Sequence, residues 1–191
     1  MERPYIEEEK YEARDFTQKA LPRGDYEACD FLACDFSNSD LSECRFIDCS
    51  FEECNLSNVK LIKTSFQEVE FKACKMLGLH FENCNDLGFS VAFKNCQLDH
   101  CSFYQLRLSK TTFISCRLHE ADFTGSDLKE ASFDLCDLLN ASFDSCLLEK
   151  ADFRGALNYS LDPELNQMKG ARFSPDGLGG LLTKYGIKIE G

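Results

Sequence analysis

Tryptophan is absent from this chain. Proline, histidine and methionine are scarce, with four, three and three copies. No apolar run approaches the length that would span a bilayer, so no membrane-spanning helix is expected. The opening residues, MERPYIEEEK, lack an apolar core and do not read as a secretory signal, so a cytoplasmic location is expected. His80, His100 and His119 are scattered, and there is no HExxH, GxSxG or phosphate-cradling glycine loop. No catalytic, cofactor-binding or metal residue is assigned, and a non-enzymatic protein is expected. Positive charge is also short: 21 Lys and Arg stand against 33 Asp and Glu, a net charge of −12. That balance argues against direct nucleic-acid binding through phosphate neutralisation. A protein partner that responds to charge would be basic.

What the chain does have is a period. Phe123, Leu128, Phe133, Leu138, Phe143, Leu148 and Phe153 fall every five residues, and two positions before each stands a small residue, from Ala121 to Ala151. Five matches neither the 3.6 of a helix nor the 2 of a strand, so each unit must make one side of a coil and then turn. Backwards, the centres run through Leu118 to Phe93. After a break, an earlier register runs from Phe81 down to Phe31, with weaker centres to Tyr11. Phe81 and Phe93 are 12 residues apart rather than 10, which places a two-residue insertion within 83–92. Sixteen of the 17 Phe are centres; Phe89, in the break, is the exception.

The pattern small–(Asp/Asn/Ser)–(Leu/Phe)–x–x resembles the pentapeptide-repeat family over about residues 11–173. The resemblance implies an all-β fold, a right-handed quadrilateral β-helix in which four units make one square coil. Coils stacked at strand spacing would rise about 4.8 Å each, giving a tower of roughly 38 Å. Centres 20 residues apart would then stack in columns, such as Phe93/Phe113/Phe133/Phe153 and Leu98/Leu118/Leu138. Residues 1–10 read as an N-terminal segment, with Tyr5 and Ile6 available to lay a strand over the first coil.

Twelve cysteines suggest a disulfide or metal framework, but their positions do not. All occupy the inward slot two before a centre, counting Cys84 by the earlier register, where Ala, Ser, Thr or Val stand elsewhere. They read as small, reduced core residues. Zinc-type CxxC spacing is missing.

Acid is uneven. Residues 1–60 carry 15 acids and seven bases, residues 61–110 five and six, and residues 111–191 13 and eight. Asp30, Asp35, Asp40, Glu43, Asp48, Glu52 and Glu53 occupy outward slots and are the candidate partner-binding residues. Two readings stay open: a soluble surface for a thin tower, or a surface that mimics DNA. Duplex DNA carries one charge per about 1.7 Å, so a rod of this length would hold roughly 22, and the mimicry would be partial. Asp122, Asp127, Asp137 and Asp152 read as turn-capping residues.

After Phe173 the pattern ends in SPDGLGGLLTKYG. Ser174 or Asp176 suits a helix cap, and Leu178, Leu181, Leu182 and Tyr185 form one apolar stripe at α-helical spacing. Gly186 ends the helix, and Ile187 and Ile189 alternate around Lys188 as in a short strand. Residues 174–191 are therefore expected to cap the last coil. By resemblance to the family such a segment often also forms a twofold homodimer, and the stripe fits either capping alone or capping with dimerisation. Within the family the chain resembles the quinolone-resistance group (Qnr-like and MfpA-like). That resemblance implies an acidic rod that meets a type II topoisomerase, DNA gyrase or topoisomerase IV, and modulates fluoroquinolone sensitivity. The longer projecting loops of Qnr-like chains are missing here, which brings the chain nearer the MfpA-like type. A structural or adaptor scaffold with another protein partner is the competing reading.

Overall fold

The chain bends at the residue two after most centres. In the computed structural model, which describes residues 3–188, 24 non-glycine residues there or nearby hold φ between 48° and 64°. Such a conformation costs an ordinary residue about 1–2 kcal/mol. Interstrand hydrogen bonding offsets it. The N–H of the bent residue donates to a carbonyl one coil further on, as from Asn38 to Ser57, Asn58 to Leu77 and Glu130 to Glu149, each at 2.9 Å.

Four such sides close a coil, and the next coil pairs with it in parallel at an offset of 20 residues. On the first face β1 (Tyr5–Glu7), β3 (Asp25–Glu27), β5 (Arg45–Ile47) and β7 (Ser65–Gln67) form a four-stranded sheet. On the second face the strands are β2 (Lys10–Glu12), β4 (Asp30–Leu32), β6 (Ser50–Glu52), β8 (Val69–Lys72), β9 (Val91–Lys94), β10 (Thr112–Ile114) and β11 (Ser132–Asp134), a seven-stranded parallel sheet. The third and fourth faces are held by single bridges, such as Asp35↔Asn55 and Ser102↔Asp122. The fold is the expected all-β quadrilateral β-helix. Its start differs from the sequence reading: β1 pairs with β3 in the common register, Ile6 opposite Tyr26. Residues 5–10 therefore belong to the first coil and do not lie across it. The pattern is hidden there because Glu9 and Arg14 replace the small inward residue.

The core is a set of columns. Tyr11, Phe31, Phe51, Phe71, Phe93, Phe113, Phe133, Phe153 and Phe173 stack with centroids 4.6–5.4 Å apart and planes within 22°. Phe81, Phe103, Phe123 and Phe143 stack likewise on the fourth face. Each fully buried ring contributes about 1.5–3 kcal/mol by transfer.

The inward slot asks for a small residue, and where that residue carries a hydroxyl or thiol the group can donate to a carbonyl of the preceding coil. Thr64 Oγ1 donates to the Leu41 carbonyl at 2.9 Å, and the thiols of Cys54, Cys74 and Cys136 reach the carbonyls of Phe31, Phe51 and Phe113 at 3.2–3.3 Å. All 12 cysteines are free, and all but the half-buried Cys84 are buried. Cys34, Cys54, Cys74, Cys96, Cys116 and Cys136 form one column that crosses the break, because Lys75 pairs with Gln97.

The insertion resolves a conflict. By register Asp86 would be a centre of the first face, pointing into the core. Instead the chain loops outward through Leu87 and Gly88 (φ 72°), and Phe89 turns inward, edge-on to Phe66 and Phe81 at 6.4 Å. The Ser90 N–H then rejoins the ladder at the Phe66 carbonyl, 2.9 Å away.

At the far end the expected α-helix is two 3-10 turns, Pro175–Leu181 and Thr183–Tyr185, ending at Gly186 with φ 60°. On the third face the count of five places Asn158 above Leu138, but Tyr159 is the residue buried there. It presses against the cap so closely that a Cβ on Gly177 or Gly180 would lie 2.2–2.3 Å from Tyr159 atoms. This close approach and three glycines in the segment favour the tighter turn over an α-helix. Ser174 precedes the turn but makes no side-chain cap bond. The strand expected around Lys188 is not formed at Ile187, and Ile189 lies outside the described residues.

Candidate interaction surface

The seven candidate acids lie close in sequence, but five residues per side spread them around the tower. Asp30 and Glu52 share the second face. Asp35 stands on the third and Asp40 on the fourth. Asp48 and Glu53 sit at corners with φ 52° and 54°, and Glu43 at another with φ 64°. A linear cluster has become a belt of carboxylates around one end of the rod.

Only some of these acids meet. Asp30 accepts from Ser50 Oγ at 2.7 Å and faces Lys10 at 3.5 Å. With Glu52 it lines a shallow groove of about 220 Å³ on the second face. Asp40 and Glu43 share Arg23, each at 3.7 Å. Asp40 also accepts from the Ser42 N–H at 2.9 Å; hydrogen bonding within its own turn, from Ser42, holds its carboxyl below the usual range. Asp35 accepts from the Ser37 N–H at 2.8 Å. Asp48, Glu52 and Glu53 are exposed.

The same turn bond recurs at the acids read as structural. Asp122, Asp127, Asp137 and Asp152 accept from the N–H two residues on, in Thr124, Lys129, Leu139 and Arg154, at 2.8–3.3 Å. These carboxylates are occupied by their own corners.

At the C-terminal end Leu181 packs on the core, whereas Leu178 and Tyr185 are 48% and 58% exposed and Leu182 and Ile187 are exposed beside them. The stripe read from the sequence is therefore divided: one leucine caps, and the rest face outward. Lys184 latches the cap, its Nζ 2.8 Å from Asp162 and 2.7 Å from Glu164, and Tyr185 Oη reaches Glu164 at 3.3 Å. Sequence reading missed Lys184 and Arg23, whose partners lie about 20 residues away. It also missed the Arg117–Asp99 pair, in which Nε lies 2.7 Å from a carboxylate oxygen. A cation one coil distant from an acid is the only signal for such pairs.

Among the described residues no three His, Cys, Asp or Glu side chains are grouped to hold a metal ion, and no helix is long and apolar enough to cross a membrane.

A square parallel β-helix with its polar side chains on a convex surface defines a repeat scaffold. Its family is settled by comparison: a family model described as a pentapeptide repeat region matches residues 25–86 and 89–160. The chain belongs to the pentapeptide-repeat family, and the two unmatched residues between the blocks, Leu87 and Gly88, are the outward loop of the insertion. Among solved structures, a trypsin-treated variant of QnrB1, a plasmid-mediated fluoroquinolone resistance protein, is similar at TM-score 0.63 and 18% identity, over 98% of this chain and 100% of that one. Full-length QnrB1 gives 0.47 at 20% identity, over 96% and 100%. HetL from the cyanobacterium Nostoc, a protein involved in heterocyst differentiation regulation, gives 0.25 at 15%, over 91% and 87%. At these identities the first likeness shows the fold, and the other two carry no argument. No curated protein matches the chain.

Proposed function

We propose that this protein is a non-enzymatic interaction rod that occupies the DNA-binding surface of a type II topoisomerase and so modulates fluoroquinolone sensitivity. The observation that carries the reading is the belt of carboxylates. Asp30, Asp35, Asp40, Glu43, Asp48, Glu52 and Glu53 face outward on three faces of the rod and at three of its corners, as phosphates do around a duplex, not into a cleft. The likeness to QnrB1 supports the same direction. In this reading the rod works as a homodimer joined at its C-terminal ends, through Leu178, Leu182, Tyr185 and Ile187, with Leu181 reserved for capping.

Titrating the purified protein into a DNA gyrase supercoiling assay, with and without a fluoroquinolone, tests it. Inhibition of supercoiling, or relief of the drug's effect, is expected, and Asp48→Lys with Glu53→Lys should weaken either one. An unchanged gyrase at every concentration would remove the DNA-mimic reading. Leu178→Glu with Leu182→Glu should halve the mass measured by light scattering; an unchanged mass would place the dimer elsewhere.

A second reading is a scaffold for another protein partner. The near-neutral charge of residues 61–110 favours it, because a uniform DNA mimic would not interrupt its acid.

A further inference from the structure

The two ends of the rod are finished differently. The C-terminal end is closed by the cap, whose Gly180 carbonyl accepts from the Leu161 N–H at 3.0 Å. At the other end β1 and β2 are the terminal strands of their sheets, and no described residue pairs with their outer edges. In a parallel ladder each strand alternates the side to which it directs its backbone groups. The first coil uses the Pro4 and Glu9 carbonyls to accept from Asp25 and Asp30, and the Glu8 and Ala13 N–H groups to donate to Glu27 and Leu32, at 2.9–3.0 Å. Tyr5, Glu7, Lys10 and Glu12 therefore direct both N–H and C=O away from the rod. Beneath them Ile6 and Tyr11 are only partly buried, and Tyr11 stacks on Phe31 with no ring on its other side.

We infer that this open end is a docking edge for an extended basic segment of a partner protein, which adds a strand beneath β1 and β2. Unpaired main-chain groups on an exposed strand are a template for strand addition. Charge selects the occupant. Glu7, Glu8, Glu9 and Glu12 have no cationic partner among the described residues, whereas Arg3 and Lys10 are turned to Asp25 and Asp30 on the coil above. A second copy of the same end would bring these glutamates face to face, which opposes self-pairing. A segment alternating lysine or arginine with apolar residues would meet the glutamates and cover Ile6 and Tyr11 at once. The inference is independent of any action on a topoisomerase.

The test is amide hydrogen exchange by NMR on the full chain, with a short peptide alternating lysine and valine as probe and its glutamate–valine counterpart as control. The basic peptide should slow exchange at Tyr5, Glu7, Lys10 and Glu12, the control should not, and added salt should weaken binding. Glu7→Lys with Glu12→Lys should reduce affinity about tenfold or more. Lys10→Pro removes an N–H that the fold itself does not use, so it should abolish slowing along β2 while lowering the melting temperature no more than Lys10→Ala, which removes the same exposed pair with Asp30. Equal binding of both peptides, binding indifferent to Lys10→Pro, or no slowing with millimolar basic peptide would overturn the proposal. Slowing that grows with protein concentration alone would make the edge a contact between copies and overturn it equally.

Discussion

Before the insertion two adjacent faces of the rod carry strands; after it only one does. The first face passes from three-residue strands over Tyr26, Phe46 and Phe66 to single bridges over Leu108, Leu128 and Leu148. The change of aromatic for leucine is not the cause, because the fourth face stacks Phe81, Phe103, Phe123 and Phe143 with single bridges throughout. The residue before the centre contributes on some sides, although Lys75↔Gln97 and Leu147↔Gln167 are single bridges with neither Asp nor Asn there. Where it is Asp or Asn bonded to the N–H two residues on, as at Asp35, Asn55, Asp122 and Asp127, the side is tight and only one bridge forms. On strand faces that residue is Arg45, Ser65, Ala92 or Thr112, or an acid engaged elsewhere: Asp25 with Arg3 and Asp30 with Ser50. Local turn chemistry competes with the sheet for the same backbone.

The largest expected effect tests the joint between the two halves. Deleting Leu87 and Gly88 restores the 20-residue register but drives Asp86 into the core. An uncompensated buried charge should cost about 3–5 kcal/mol in a urea melt. Adding Asp86→Leu to the deletion should recover most of that loss; no recovery would show that the loop matters for another reason.

Next is Asp122→Ala, which removes the turn bond to the Thr124 N–H. Stability should fall by about 1.5–3 kcal/mol, the range for a hydrogen bond to a charged group. Exchange at Thr124 should quicken first; a change confined to distant coils would contradict the local account.

Titration comes third. Burial raises the thiol of Cys49 to about 12 and that of Cys101 likewise. In the unfolded chain these thiols ionise near their ordinary value of 9, so stability is intact below pH 9 and should decline as pH rises toward 12. At the acid end Asp152 is held low by its bond from Arg154, and Asp40 by its bond from Ser42. Their contribution is present above the ordinary carboxylate value and is lost as pH falls below it. A melting temperature flat from neutrality to pH 11 would contradict the buried-thiol account.

The smallest effect has the opposite sign. Leu135 is 64% exposed and holds φ 53°, at the corner position that Gly125 and Gly170 occupy in other coils. Leu135→Gly should stabilise by about 0.5–1 kcal/mol, relief of the left-handed strain less the extra chain entropy of glycine. A loss would show that the leucine makes a contact of its own.

Much of this architecture was legible because the repeat makes inside and outside a local property. A centre such as Phe113 or an inward residue such as Cys116 is assigned by counting fives, and the columns follow from the same count. The candidate binding surface was legible only in part. Seven acids could be named as outward, and the step of five puts Asp30, Asp35 and Asp40 on successive sides, but nothing in the spacing showed that Asp40 and Glu43 share Arg23 or that Asp30 accepts from Ser50.

By itself, then, the sequence determined the coil, the buried columns, the reduced cysteines and the place of the insertion, since each depends on residues within one repeat. The tertiary structure decided what happens where the repeat fails: Phe89 filling the place Asp86 could not, two 3-10 turns clasping Tyr159, Lys184 holding the cap, and Tyr5–Glu7 joining the first coil with its outer edge paired to no described residue. At those places the outcome rests on which groups meet across coils some 20 residues apart. Several partners compete there for each backbone bond and each buried site, and only the packed chain settles which one wins.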